Sequence, residues 1–105
     1  MELLEKRLYY IELLHLYGEL LSATQKDILK DNLEFDLSLS EIASNRDISR
    51  AAVEDALKKG MNKLDEYESK LSLFQKRSTI RVNVTFLKEK FGDIKELEEI
   101  EEVIK

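Results

Sequence analysis

The chain has 105 residues, a net charge of −5, and no cysteine or proline. That length supports one domain with a modest core, and the lack of cysteine excludes disulfides and thiolate metal sites and suits a reducing cytoplasm. Charged residues, 37% of the sequence, alternate with Leu and Ile, which points to amphipathic helices rather than disorder, and the charge-broken N-terminal run fits neither a signal peptide nor a membrane span.

The first predicted element is a helix over residues 3–17. Leu4, Leu8, Ile11 and Leu14 or His15 follow the 3.6-residue period, with Leu20 or Leu21 beyond, and Tyr9, Tyr10 and Tyr17 widen the stripe. His15 is the sole histidine. It reads as a helix-face residue packed along its ring, because one histidine assembles neither a metal site nor a triad. Gly18 and Ser22 frame a turn. Ser22 and Gln25 then read as a capping box opening a second helix over about 23–34, with Ile28, Leu29, Leu33 and then Phe35 or Leu37 facing inward.

Residues 38–57, SLSEIASNRDISRAAVEDAL, read as a helix-turn-helix. Ser38 and Glu41 form a capping box, and Leu39, Ile42 and Ala43 make a short apolar face. Asn45-Arg46-Asp47 breaks the pattern, since Asn and Asp tolerate left-handed backbone. Ile48 plugs the corner. Ser49 caps the next helix, in which Ala52, Val53, Ala56 and Leu57 recur inward while Ser49, Arg50, Ala51, Glu54, Asp55 and Lys58 project outward. In a DNA-binding motif of this type the outward positions face the major groove. The bland alternative is an ordinary helical hairpin within a bundle.

The fourth helix is predicted to run on, over about 50–75. Val53, Leu57, Gly60, Leu64, Tyr67, Leu71 and Phe74 recur at alternating spacings of four and three, a heptad seam. Gly60 on that seam implies close approach of another helix, or a bend. A helix of some 25 residues spans about 37 Å, longer than the first three helices are expected to cover. The tail, 78–105, a second copy of the chain, or both are then required to bury its C-terminal half.

The tail reads two ways. Ile80, Val82, Val84 and Phe86 alternate like a strand, whereas Ile80, Val84, Leu87, Phe91 and Ile94 fit a helix. Helix is favoured because no second strand candidate is available for pairing. Asp93 and Glu96 read as a cap for a last acidic helix. The whole is one all-α domain over 1–105, with a helix-turn-helix core at 22–60.

Charge is unevenly spread. Residues 1–37 carry −4, 38–60 balance, 61–91 carry +3 and 92–105 carry −4. Solvated helix faces account for such blocks. Catalysis is the class with least support: there is no Gly-rich phosphate loop, and Asp65-Glu66 and Glu98-Glu99 read as solvated faces rather than acid/base pairs. No cofactor or metal is expected.

Four segments carry a family resemblance: LLSATQ (20–25), SLSEIA (38–43), ISRAAV (48–53) and LDEYESKLSLFQK (64–76). In order and spacing they resemble the YlxM-like family of small bacterial proteins, whose helix-turn-helix is similar to region four of bacterial sigma factors. The resemblance implies an all-helical fold, a long fourth helix, a C-terminal helix that packs in a homodimer, and an association with the signal recognition particle pathway. Ser49 and Arg50 match the family's Ser-Arg at the start of the recognition helix, and Ala43 and Val53 its helix-crossing residues. Arg46 departs from the usual aromatic or aliphatic residue before the turn. Ala51 lacks the polar side chain that many relatives carry.

Two functions follow as expectations. One is a dimeric DNA-binding regulator of the signal recognition particle pathway, contacting nucleic acid through Ser49, Arg50, Ala51, Glu54, Lys58 and Lys59 and dimerising through Leu64, Tyr67, Leu71 and Phe74. The obstacle is Glu54 and Asp55, which would meet phosphates unless each finds a donor, and Arg50 could neutralise itself on Glu54. The other is a protein- or RNA-interaction module of the targeting machinery, using a basic patch of Lys70, Lys76, Arg77, Arg81, Lys88 and Lys90.

Overall fold

The computed structural model describes residues 3–105, and among them every regular element is helical. Helix α1 spans Leu3–Tyr17, a 3-10 turn Gly18–Leu20, α2 Ala23–Leu33, α3 Leu39–Arg46, α4 Arg50–Leu71, α5 Leu73–Phe91 and α6 Lys95–Ile104. The fold is all-α: a helix-turn-helix, a long fourth helix and a helical C-terminal segment. The alternating pattern at 80–86 lies within α5, so it forms helix and not strand. Two compact units divide between Leu71 and Ser72.

In the first unit, α2, α3 and α4 surround one core, and α1 lies against α2 and α4. Leu13, Leu14, Tyr17, Leu21, Ile28, Leu29, Leu33, Ile42, Ala43, Val53, Leu57 and Leu64 are buried. Gly60 sits where α2 meets α4: a Cβ there would lie 2.7 Å from Leu29 Cδ1. The absence of a side chain therefore sets how closely the two helices pack. The apolar stripe of α1 is buried only toward its C-terminal end, since Leu4 and Leu8 remain 63% and 53% exposed.

Three tyrosines tie α1 and the turn after it to the C-terminal half of α4. The Tyr17 hydroxyl donates to Glu68 at 2.7 Å, Tyr10 to Asp65 at 3.0 Å, and Tyr67 to the Leu20 carbonyl at 3.2 Å. Part of the half of α4 expected to need the tail or a second copy is thus held by α1 and the turn after it. The helix is also shorter than its seam suggests, with 22 residues. It stops at Ser72, whose φ of 54° is left-handed, and α5 restarts at Leu73.

In the second unit α5 and α6 pack on each other, burying Val84 and Leu97. Gly92, at φ 77°, ends α5. The cap expected from Asp93 and Glu96 does not form: the N-cap of α6 is Ile94, with no side-chain cap. Asp93 is instead drawn to Lys88 Nζ at 3.3 Å.

Candidate nucleic-acid interface

Local hydrogen bonds build the helix-turn-helix. Ser38 Oγ accepts from Glu41 N–H, and Glu41 Oε1 accepts from Ser38 N–H, both at 3.1 Å, so the capping box is complete. The Ser38 N–H, first, and then the Ser38 hydroxyl hold the Glu41 carboxyl below its ordinary pKa. At the other end of α3, Asp47 adopts φ 53°, ψ 47°, with its N–H on Ala43 and Ser44 carbonyls. Left-handed backbone at one residue turns the chain where a longer break was expected. Ile48 N–H returns to Ala43 O at 3.1 Å. Its side chain stays 38% exposed, so it closes the corner only in part. Ser49 Oγ accepts from Ala52 N–H at 3.0 Å, capping α4.

Arg46, the departure noted in the sequence, has a structural role. Its guanidinium reaches Asp31 on α2, with Nε and Nη2 both 2.8 Å from Oδ2. An ion pair thus joins α2 and α3 where an apolar contact was expected. The cap at Ser22 is half a box: Ser22 Oγ accepts from Gln25 N–H, but the Gln25 amide oxygen accepts from Lys63 on α4.

Above this frame, α4 presents its first turns to solvent. Ser49, Arg50, Ala51, Glu54, Lys58 and Lys59 are all exposed, and Val53, Leu57 and Gly60 are buried. Ala52, expected inward, is exposed, and Ala56 is half-buried. The outward residues are not equivalent. Lys59 holds Asp55, Nζ to Oδ2 at 3.0 Å, so one of the two troublesome carboxylates is neutralised by its own helix. Ser49 is engaged as the cap. Arg50, Glu54 and Lys58 form no ion pair among the described residues, and the anticipated Arg50–Glu54 pair is not made.

The heptad seam is divided. Leu64 is 0% exposed within its own chain, so it is part of the first unit's core and not a surface for a partner. Tyr67 is half-buried and bonded to Leu20. Leu71 is 44% exposed, and Phe74 falls beyond the break, half-buried on α5.

The basic patch is thinner than its spacing suggests. Lys70 pairs with Glu66 at 2.8 Å. Lys88 pairs with Glu101 at 2.8 Å and with Asp93, contacts that raise its pKa in that order. Lys76, Arg81 and Lys90 remain exposed on α5. His15 is not a packed ring: its Nε2 meets Glu34 Oε1 at 2.7 Å, joining α1 to the end of α2. Among the described residues no group of three or more His, Asp or Glu side chains is placed to hold a metal ion. No described helix is long and apolar enough to cross a membrane.

Comparison with known proteins agrees with this architecture. A family model described as "Putative helix-turn-helix protein, YlxM / p13 like" matches residues 4–104. A UPF0122 protein of Fusobacterium nucleatum subsp. nucleatum is 48% identical over 79 residues, covering 75% of this chain and 77% of its own. One from Clostridium kluyveri is 40% identical over 80 residues, covering 76% and 72%. One from Geobacillus sp. (strain WCH70) is 38% identical over 110 residues, covering 94% and 100%.

Proposed function

The chain belongs to the UPF0122, YlxM/p13-like family of helix-turn-helix proteins, and from that premise we propose that it is a regulator that binds double-stranded DNA through α3 and the start of α4. The carrying observation is the exposed face of Arg50, Ala51, Glu54 and Lys58 on a helix whose other side is locked into the core by Val53 and Leu57. A recognition helix has this form, with an apolar side fixed by the preceding helices and a polar N-terminal side free for base edges. Arg50 reads a guanine edge or a phosphate, and Ser49 and Lys58 take phosphates. Lys59 contributes less, because Asp55 already holds it.

The protein acts as a homodimer, so that two recognition helices meet successive major grooves about 34 Å apart. Support for this comes from apolar residues left exposed on α5, Val82 and Phe86 at 69% and 63%. Val82 and Phe86, one helical turn apart, share a face of α5 that a second copy would cover. The genes regulated are those of the signal recognition particle pathway, a reading that rests on the family resemblance.

The test is a salt-dependent anisotropy titration with the protein's own upstream DNA, random DNA of equal length, and signal-recognition-particle RNA. Binding to the upstream DNA should exceed random DNA by about a thousandfold and collapse in Arg50→Ala. Equal weak binding to both DNAs, with tighter RNA binding, would replace this reading by an RNA-interaction module based on Lys76, Arg81 and Lys90.

A further inference from the structure

We infer that Glu54 is a specificity-determining residue that selects a cytosine in the major groove, about two base pairs from a guanine read by Arg50. The inference rests on the DNA-binding reading above and adds the identity of one recognised base. Two carboxylates, Glu54 and Asp55, lie exposed in the first turns of α4, and the structure separates them. Asp55 is held by Lys59 at 3.0 Å. Glu54 is exposed and has no ion-pair partner among the described residues, although Arg50 precedes it and Lys58 follows it at one-turn intervals. All three are exposed on the first turns of α4, whereas Val53 and Leu57 are buried.

An unpaired carboxylate brought against DNA is repelled by phosphates and is stabilised only by a donor. In the major groove those donors are cytosine N4 and adenine N6, and cytosine N4 is the usual partner of Glu. Four residues of α-helix rise about 6 Å, against about 3.4 Å per base-pair step. Arg50 and Glu54 therefore address bases roughly two steps apart. Ala51, between them, offers a methyl group that suits the thymine methyl and makes no hydrogen bond. The same charge works against non-specific binding, because Glu54 lowers affinity wherever no cytosine amine faces it.

The experiment is binding-site selection from a random duplex library with the full chain, in parallel with Glu54→Gln and Glu54→Ala. The wild-type protein should enrich a motif with a fixed cytosine, and replacing that base should weaken binding by about ten- to a hundredfold. Glu54→Gln should convert the preference at that one position to adenine, since Gln pairs with adenine N6 and N7. Glu54→Ala should relax it and raise affinity for random DNA. Glu54 forms no ion pair among the described residues, so both variants should keep the wild-type circular dichroism spectrum and melting temperature. A wild-type motif that neither substitution changes overturns the inference and leaves DNA binding standing. Failure of the wild-type protein to enrich any motif overturns both.

Discussion

The effect of adding a methyl group at Gly60 depends on a second residue, Leu29. Gly60 is buried in the middle of α4, and a Cβ there would lie 2.7 Å from Leu29 Cδ1 and 3.3 Å from Leu29 Cγ. Carbon atoms pack at about 3.5–4.0 Å, so Gly60→Ala requires Leu29 to retreat by about 1 Å. Leu29 is 0% exposed and has no solvent to retreat into. Overpacking of this kind costs about 1–3 kcal/mol, and replacing a helical glycine by alanine returns about 1 kcal/mol of propensity. Gly60→Ala should therefore lower stability, by up to about 2 kcal/mol. In a Leu29→Ala background the obstacle is gone and the new methyl enters the space it leaves. The same substitution should then stabilise by about 1 kcal/mol. Urea denaturation of the four proteins, followed by circular dichroism, measures the cycle. An equal effect of Gly60→Ala in both backgrounds would refute the claim that Leu29 against Gly60 sets the α2–α4 crossing.

Other consequences are independent of that contact. The Tyr10 phenol is pushed up to about 12, by burial first and then by its hydrogen bond to Asp65. A raised folded value stabilises the neutral form, so this contribution is complete below the ordinary tyrosine pKa of about 10 and is lost as pH rises toward the folded value. Asp65→Asn should lower the Tyr10 pKa but keep it above the ordinary value, because burial persists. Spectrophotometric titration reads this, and an unchanged titration would deny the contact. Leu64→Ala should cost about 2–5 kcal/mol at every protein concentration, with no change of mass by light scattering. A halved mass would put Leu64 back on an intermolecular seam. Tyr17→Phe removes a donor to Glu68 from a side chain 1% exposed and should cost about 1.5–3 kcal/mol in thermal unfolding; no loss would separate α1 from the support of α4.

Features that depend on neighbours along the chain were legible in the sequence. The capping box at Ser38 and Glu41, the cap at Ser49 and the left-handed Asp47 involve residues a few positions apart, where side-chain chemistry fixes the backbone. The 3.6-residue period likewise located α1 to α4. The features that were not legible are set at long range. Gln25 turns to Lys63 across 38 positions, and His15 meets Glu34 across 19. No local pattern registers either contact. Ser72 ends α4 with no glycine or proline to announce it, and so the seam through Leu64, Leu71 and Phe74 read as one helix. The candidate interface divides in the same way. Periodicity alone turned Arg50, Ala51, Glu54 and Lys58 outward. That Lys59 takes Asp55 and leaves Glu54 unpaired is a choice among rotamers, which the spacing of charges permits without deciding.

The central claim is that α3 and the start of α4 form a DNA-reading face. Its most direct test is amide chemical-shift mapping of the full chain on titration with its upstream duplex. The account predicts shifts concentrated at Ser49, Arg50, Ala51, Glu54 and Lys58, which disappear in Arg50→Ala. Shifts confined to Lys76, Arg81 and Lys90 of α5, with those of α4 unmoved, would contradict it.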